Sequence, residues 1–247
     1  MTSRVLEKSL RAETVERMLS RSAEDSGISD LIVLPIPSTR DGTHVNGLDL
    51  SLRDAILGVG QGSLVIGYQM PDYIKDILVK RGARFVDSAE DEEFLLDNAE
   101  LTAMATVGII LNTEIRVPRD LAIGIVGYGR IGAALTAHLA YHGARLVVYT
   151  SSEEKRIMLG EMGISTADSI EGSGLGELDL LINTAPAVIF DTGEGSRFPT
   201  SLRVIDLASG ENFPGLASVE RYPSIPARMF PRSAGYAWYR SVIRHIT

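Results

Sequence analysis

Short apolar runs alternate with longer segments of helical periodicity along the whole chain. An uncharged run such as 121–126 (LAIGIV) indicates a strand that is buried on both faces. The regular alternation of such strands with helices predicts an α/β fold built on parallel sheets. The predicted strands are 30–37, 63–68, 83–87, 121–126, 145–149, 178–183 and 202–207. The predicted helices are 4–24, 72–81, 88–114, 131–142, 153–162 and 233–246.

Two of these helices affect the interpretation of the first half. The helix over 4–24 is predicted to open the chain, with no strand before it. Ser88 is expected to cap the helix over 88–114, and the acidic residues 90–93 suit the positive end of a helix. The acidic run is therefore interpreted as helix-start chemistry rather than as an acidic interaction site.

The pattern changes near Pro118, which predicts two domains. Residues 1–117 are expected to form a smaller, flavodoxin-like α/β domain on the substrate side. Residues 118–231 are expected to form a Rossmann-type, doubly wound parallel sheet. The closing helix, 232–247, is long enough to return to the first domain.

The charge and composition exclude several classes of partner and site. The 24 Lys and Arg residues are outnumbered by 32 Asp and Glu residues, so the formal net charge of −8 argues against binding to nucleic acid or anionic membrane. The chain has no cysteine, which excludes disulfides, thiolate metal sites and iron–sulfur clusters. No uncharged apolar run is long enough for a membrane span. A soluble, cytoplasmic protein is therefore expected.

The segment 127–132 (GYGRIG) fits the G-x-G-x-x-G pattern of dinucleotide-binding proteins. It follows a predicted strand and opens a predicted helix, which is the context that the pattern requires. Gly127 would allow the tight turn, Gly129 the approach of a pyrophosphate, and Gly132 close packing of helix on strand. Arg130 and Ile131 would lie at the helix N-terminus, where N–H groups and the helix dipole attract phosphate.

The residues that would contact the adenosine ribose follow the next strand, at Thr150, Ser151 and Ser152. Enzymes that bind NAD usually carry Asp or Glu at this position. Here hydroxyl groups replace the carboxylate, and Lys155 and Arg156 are close in sequence. This combination favours NADP, with NAD as the alternative.

Two further loops are expected at the same edge of the sheet. Residues 183–186 (NTAP) and 206–209 (DLAS) each follow a predicted strand. Ligands of open α/β sheets bind outside the carboxyl ends of the strands. The residues predicted to contact the nicotinamide half are Thr184, Ala185, Pro186, Leu207 and Ala208.

These motifs together resemble the D-isomer-specific 2-hydroxyacid dehydrogenase superfamily, with two departures. That superfamily carries an arginine after the fifth strand, where this chain has Ser209. It also carries a catalytic histidine in a Pro-His-x-x-Gly segment, where residues 231–235 read PRSAG. Oxidation of an ordinary 2-hydroxyacid is therefore not expected.

The chain is more similar to the family of the dipicolinate synthase A chain, from about Leu34 to the C-terminus. The motifs that carry this resemblance are 34–37 (LPIP), 98–103 (NAELTA), GYGRIG, 182–184 (INT), 205–209 (IDLAS) and the prolines 223, 226 and 231 before 233–235 (SAG). The family begins with a strand and a Gly-Gly-Asp segment, which this chain is predicted to lack. Residues 102–105 read TAMA where the family has Thr-Ala-Glu-Gly.

The resemblance implies an enzyme component that oxidises a dihydrodipicolinate-type ring to pyridine-2,6-dicarboxylate with a nicotinamide cofactor. It also implies that the partner is a flavoprotein-like B subunit, and that a homodimer forms through the helix over 91–114. Two alternatives stay open. One is a non-catalytic, dinucleotide-binding regulatory subunit, and the other is a 2-hydroxyacid dehydrogenase-like enzyme with another substrate.

A dicarboxylate substrate needs cations and hydrogen-bond donors. Arg40 and Arg232 are the candidates, because a guanidinium group binds carboxylates in bidentate fashion. Ser38, Thr39 and Ser233 are predicted to add hydrogen bonds. Thr102, one helical turn after Asn98 on the same face, is expected either to line the substrate cleft or only to satisfy the backbone. No general base stands out, although His44 lies in a polar loop where it could be catalytic. No metal site is predicted.

Overall fold

The protein is described here from a computed structural model. The structure describes residues 2–22, 28–170, 174–187, 198–214, 216 and 218–246. The chain forms two compact units, one of Met1–Asn98 with Pro226–Thr247 and one of Ala99–Ile225. Each unit contains a parallel sheet with helices between the strands, which confirms the predicted α/β class with two α/β domains.

The elements follow in chain order. They are β1 (Thr2–Val5), α1 (Leu10–Ser22), β2 (Asp30–Val33), α2 (Leu52–Ala55), β3 (Leu64–Gly67), α3 (Asp72–Lys80), β4 (Arg84–Asp87), α4 (Glu92–Thr113), β5 (Ala122–Val126), α5 (Arg130–Tyr141), β6 (Arg145–Tyr149), α6 (Glu153–Glu161), β7 (Ser165–Ala167), β8 (Leu180–Asn183), β9 (Arg203–Asp206), β10 (Val219–Arg221), α7 (Ile225–Met229) and α8 (Pro231–Ile243). Short 3-10 turns occupy Ser88–Glu90, Pro118–Asp120 and Leu175–Glu177.

The first unit has a four-stranded sheet in the order β1-β2-β3-β4, with all strands parallel. All four residues of β3 are buried, as expected for a strand covered on both faces. In the same unit α8 packs on α1. A side chain at Gly235 would lie 2.7 Å from the carbonyl oxygen of Arg11, so the absence of a Cβ there allows this close packing.

The prediction that the chain opens with a helix is wrong. Residues Thr2–Val5 form a strand that pairs with β2, with Ser3 opposite Leu31, and α1 begins only at Leu10. The chain therefore does have an opening strand. It is an edge strand of four mostly polar residues, so its pairing with a neighbour decides its structure and local periodicity could not show it.

The predicted cap at Ser88 is also wrong. The carboxylate of Asp87 accepts from the backbone N–H of Ala89 at 3.1 Å, and that of Asp91 accepts from the N–H of Phe94 at 3.1 Å. Ser88 is instead fully buried, where it accepts a hydrogen bond from the hydroxyl of Ser241. Asp87 thus caps the short turn Ser88–Glu90, and Asp91 caps the start of α4, about one turn later than predicted.

The second unit has a six-stranded parallel sheet in the order β10-β9-β8-β5-β6-β7. Counted within the unit, this is the strand order 6-5-4-1-2-3 of the Rossmann fold. The order reverses between β5 and β8, where Val126 pairs with Asn183. The carboxyl ends of these two strands are therefore level at the switch point of the sheet. The short strands β7 and β10 and the helix α7 were not predicted.

The helix α4 is long and apolar enough, by length and composition alone, to cross a membrane. Half of its most apolar window is nevertheless buried inside the protein, which is typical of a core helix in a soluble protein. The two compact units divide within this helix, at Asn98 and Ala99. The predicted domain limits at 117/118 and 231/232 stay predictions.

Candidate dinucleotide-binding site

The tight turn between β5 and α5 needs glycine at two positions. One has a positive φ, and at the other a Cβ atom would collide with the backbone. Gly127 has a φ of +89°, which favours glycine, and its N–H donates to the carbonyl of Tyr149 at 2.9 Å. A Cβ on Gly132 would lie only 2.2 Å from the carbonyl oxygen of Gly127. The turn can therefore close only with glycine at both positions.

Gly129, in the middle of the same turn, has space in front of it. A Cβ there would meet no heavy atom within 4 Å. Gly129 is also the N-cap residue of α5, and no side chain caps the helix. Arg130 and Ile131 lie in the first turn of α5. The hydrogen bonds within the helix begin with the bond from the N–H of Ala133 to the carbonyl of Gly129. This open helix end can receive an anionic phosphate group.

Thr184 joins the loop after β8 to the glycine turn. Its hydroxyl donates to the carbonyl of Val126 at 2.9 Å and lies 3.3 Å from the carbonyl of Gly127. A Cβ on Gly127 would lie 2.9 Å from that hydroxyl oxygen and 3.2 Å from the Cβ of Ala185. The structure thus brings two of the sequence-predicted cofactor segments together. Pro186 follows in the same loop and is exposed.

A buried polar cluster fixes the ends of β8 and β9. The side-chain amide of Asn183 donates to Asp206 Oδ1 at 2.8 Å and to the carbonyl of Ala185 at 3.1 Å. Asp206 also accepts from the amide of Asn212 and from the N–H of Ala208. Asn183, Asp206 and Asn212 are at most 3% exposed. The cluster holds the loops that contain Ala185, Leu207 and Ala208 in defined positions.

Asn212 was missed by sequence reasoning, which considered only the loops directly after the strands. No sequence pattern marks Asn212 as a partner of Asp206, which lies six residues earlier at the end of β9. The two side chains meet only because the loop returns to the strand end. Asn183 and Asp206 had a detectable signal. Each is a polar residue that ends an apolar strand, where a buried side chain needs a partner.

The predicted ribose-contacting residues follow β6. The hydroxyl of Ser152 accepts from the N–H of Lys155 and caps α6. Lys155 Nζ donates to the carbonyl of Tyr128 at 2.9 Å, and the guanidinium of Arg156 donates to the carbonyl of Thr150 at 2.7 Å. Lys155 therefore lies beside the glycine turn, and Arg156 lies beside the end of β6. Ser151, which follows Thr150 in the same loop, is exposed.

The predicted substrate residues occur in both units. Arg40 lies in the loop after β2 and is exposed, and Arg232 and Ser233 lie exposed in the first turn of α8. Thr102 lies within α4, where it is only 3% exposed. The substrate-binding roles of these four residues stay predictions.

Searches of known proteins find no matching family model and no matching curated protein. Solved structures do match. The A chain of dipicolinate synthase from Bacillus halodurans superimposes with a TM-score of 0.84 at 19% identity, over 100% of this chain and 97% of that one. The A chain of dipicolinate synthase from Bacillus subtilis superimposes with a TM-score of 0.78 at 18% identity, over 100% and 96% of the two chains.

The chain has the fold of the dipicolinate synthase A chain. A D-isomer-specific 2-hydroxyacid dehydrogenase from Lactobacillus delbrueckii ssp. bulgaricus, solved with NAD, matches less well, with a TM-score of 0.57 at 10% identity over 99% and 95% of the chains. The resemblance drawn from the sequence motifs is thus confirmed at the level of the fold. This chain therefore shares its fold with a dehydrogenase as well, and its second unit has the strand order of the Rossmann fold.

Proposed function

We propose that this chain is a nicotinamide-dependent oxidoreductase that acts on a small dicarboxylate of the dihydrodipicolinate type. One observation carries the cofactor part of the proposal. The glycine turn at the switch point is closed at Gly127 and Gly132 but open in front of Gly129. A cradle of this shape fits a pyrophosphate on the N-terminus of α5.

When bound, an oxidised nicotinamide would accept a hydride from the substrate. The residues of this chain would hold and orient it. The backbone of Gly129–Gly132 would bind the pyrophosphate, and the segment Thr150–Ser152 the adenosine ribose. The loops of Thr184–Pro186 and Leu207–Ala208, fixed by the buried Asn183–Asp206 pair, would support the nicotinamide half.

NADP is the proposed cofactor. No carboxylate ends β6 to bind a 2′-hydroxyl or to repel a 2′-phosphate. Lys155 and Arg156 both lie within hydrogen-bond distance of backbone carbonyls around this point, so their charges are already placed there. A 2′-phosphate could replace the carbonyl of Tyr128 as the partner of Lys155, because an ionised acceptor binds an ammonium group more strongly than a carbonyl does.

A titration with NADPH and with NADH tests the proposal. Nicotinamide fluorescence and thermal stability report binding, and a ligand at 100 times its dissociation constant should stabilise the protein by about 2.7 kcal/mol. The variant Lys155→Gln should weaken NADPH binding by about tenfold and leave NADH binding nearly unchanged. Lys80→Gln, which removes an exposed lysine from the first unit, is the matched control. Absence of binding of either dinucleotide would refute the cofactor proposal.

The proposed substrate carries two carboxylates, for which Arg40 and Arg232 are the proposed cationic partners. Ser233 is the proposed hydrogen-bonding residue, and Thr102 is proposed to line the substrate site. The protein is further proposed to work in the cytoplasm as a homo-oligomer beside a flavoprotein-like subunit. The net charge of −8 argues against attraction to an anionic membrane. Formation of pyridine-2,6-dicarboxylate and NADPH from the dihydro compound and NADP⁺ would support the reaction.

A second candidate is a dinucleotide-binding subunit without catalytic activity. It is favoured by Arg232 and Ser209, which replace the histidine and arginine of the related dehydrogenases. The two candidates differ in one measurement. Dinucleotide binding without oxidation of the dicarboxylate, also when the partner subunit is supplied, would favour the second.

A further inference from the structure

A cavity in the first unit contains a histidine–carboxylate pair. The cavity has a volume of about 430 Å³ and lies against the loop after β2, where Arg40, Asp41, His44, Asn46 and Asp49 line it. The loop leaves the carboxyl end of a central strand of the parallel sheet. Ligands of such sheets bind at this edge.

The loop is held in place by bonds to its neighbours. The hydroxyl of Tyr73, from α3, donates to the carbonyl of Gly42 at 2.9 Å. The N–H of Leu52 donates to the carbonyl of Thr43 at 2.8 Å, and His44 and Ser51 form a β-bridge. The imidazole of His44 is therefore carried on an ordered backbone, although its side chain is 52% exposed.

Asp41 orients the imidazole. Its Oδ2 lies 2.9 Å from His44 Nδ1, while its Oδ1 accepts from the N–H groups of Thr43 and His44 at 2.7 and 2.8 Å. The backbone N–H of His44, followed by that of Thr43, holds the pKa of Asp41 well below its ordinary value, so Asp41 is ionised.

The tautomer of His44 follows from this pair. The hydroxyl of Thr43 also lies 3.0 Å from Nδ1. A carboxylate accepts hydrogen bonds more strongly than a hydroxyl, so Nδ1 carries the proton and donates to Asp41. In the neutral imidazole, Nε2 then keeps its lone pair, which is the arrangement that a general base needs.

We propose that His44, oriented by Asp41, is the proton acceptor of the oxidation, and that this cavity seats the substrate with one carboxylate on Arg40. This inference rests on the proposed function. Oxidation of a dihydropyridine dicarboxylate would remove one hydride, for which a bound oxidised nicotinamide would be the acceptor, and one proton. The proton leaves the neighbouring ring carbon for His44 Nε2, and the electrons of that C–H bond form the new ring double bond.

The other charges at the cavity orient the substrate. Asp49 also lines the cavity and, like the ionised Asp41, repels a carboxylate, so we place the substrate carboxylate on Arg40. Three further ionisable groups lie near the loop. They are Tyr73, Asp54 of α2, whose carboxylate accepts from Ser51, and Arg53, whose guanidinium lies 5.2 Å from the ring centroid of Tyr73.

The first experiment needs neither cofactor nor partner. Pyridine-2,6-dicarboxylate is titrated into the full-length protein by calorimetry in two buffers of different ionisation enthalpy. In the wild type, binding should take up a proton, because the dianion favours protonated His44. His44→Gln should abolish the uptake, and Arg40→Gln should weaken binding by about tenfold or more. His142→Gln, an exposed histidine at the end of α5, should change neither.

Three outcomes decide the carboxylate site. Proton uptake that disappears in His44→Gln supports it. Binding that is independent of His44 and Arg40 overturns it, as does the absence of binding in the wild type. Circular dichroism of each variant verifies that it is folded.

The second experiment separates this inference from the proposed function. If the wild type oxidises the dihydro compound, His44→Gln should lower the rate by about 100-fold or more with unchanged NADPH affinity, and imidazole should restore part of the rate in His44→Gly. A rate in His44→Gln within about threefold of the wild type overturns the base role and leaves the proposed function standing. If the wild type with its partner subunit oxidises nothing, the reaction and the base role both fall, and calorimetry alone decides the carboxylate site.

Discussion

Gly129→Ala should weaken dinucleotide binding while leaving the fold almost unchanged. Gly129 has φ −84° and ψ −162°, an extended conformation that alanine adopts, and a methyl group there would meet no heavy atom within 4 Å. The methyl group would instead occupy the space in front of the turn, where the pyrophosphate is proposed to bind. The variant therefore separates the binding role of the turn from its folding role.

The expected magnitudes follow from this geometry. Alanine is a poorer N-cap than glycine by a few tenths to about 1 kcal/mol, and it restricts the unfolded chain by a similar amount, so the net change in unfolding free energy is below about 1 kcal/mol. Displacing the pyrophosphate from two N–H groups should weaken its binding by about 1.5–3 kcal/mol, which is roughly ten- to a hundredfold in the dissociation constant.

Gly132→Ala should behave differently. Its Cβ would lie 2.2 Å from the carbonyl oxygen of Gly127, so the backbone must move, at a cost of about 1–3 kcal/mol in stability. Gly160→Ala is the matched control within the same unit. It lies inside α6 with no heavy atom within 4 Å of the added methyl, and it should stabilise the protein by about 0.5–1 kcal/mol.

Thermal unfolding with and without NADPH measures both quantities at once. At a ligand concentration 100 times the wild-type dissociation constant, the wild type should gain about 2.7 kcal/mol, and a tenfold weaker variant about 1.4 kcal/mol. Wild-type affinity in Gly129→Ala would contradict the placement of the pyrophosphate. A Gly132→Ala protein as stable as Gly160→Ala would contradict the steric reasoning.

Three further predictions concern the same unit. Asn183→Ala should lower the unfolding free energy by about 2–4 kcal/mol in urea denaturation, because it removes buried hydrogen bonds from Asp206 and Ala185. Thr150→Asp should shift the ratio of NADH to NADPH affinity by about tenfold or more towards NADH in fluorescence titrations. The N–H of Ala122, followed by Arg116, lowers the pKa of Asp179. Asp179 should therefore stabilise the native state at neutral pH. The unfolding free energy of the wild type should exceed that of Asp179→Asn by about 1 kcal/mol there, and this difference should disappear as the pH falls through the lowered pKa. A difference that stays constant with pH would contradict this prediction.

The sequence alone determined the features that depend on local pattern. Buried parallel strands must be continuously apolar, so runs such as those of β5 and β8 were predicted within two residues of their observed limits. The glycine turn was equally predictable, because close packing and a positive φ at Gly127 admit few other residues. The loops after β8 and β9 could be placed at the same edge because parallel strands end there together.

Only the tertiary structure decided the features that depend on partners distant in sequence. The opening strand exists because β2 lies beside it, and its four residues have no apolar pattern of their own. Asn212 joins the buried cluster because the loop after β9 brings it back to Asp206. The pairing of His44 with Asp41 depends on the loop conformation, which Tyr73 and Leu52 help to fix. In each case a polar group gains its role from a hydrogen-bond partner, and hydrophobic periodicity carries no information about such partners.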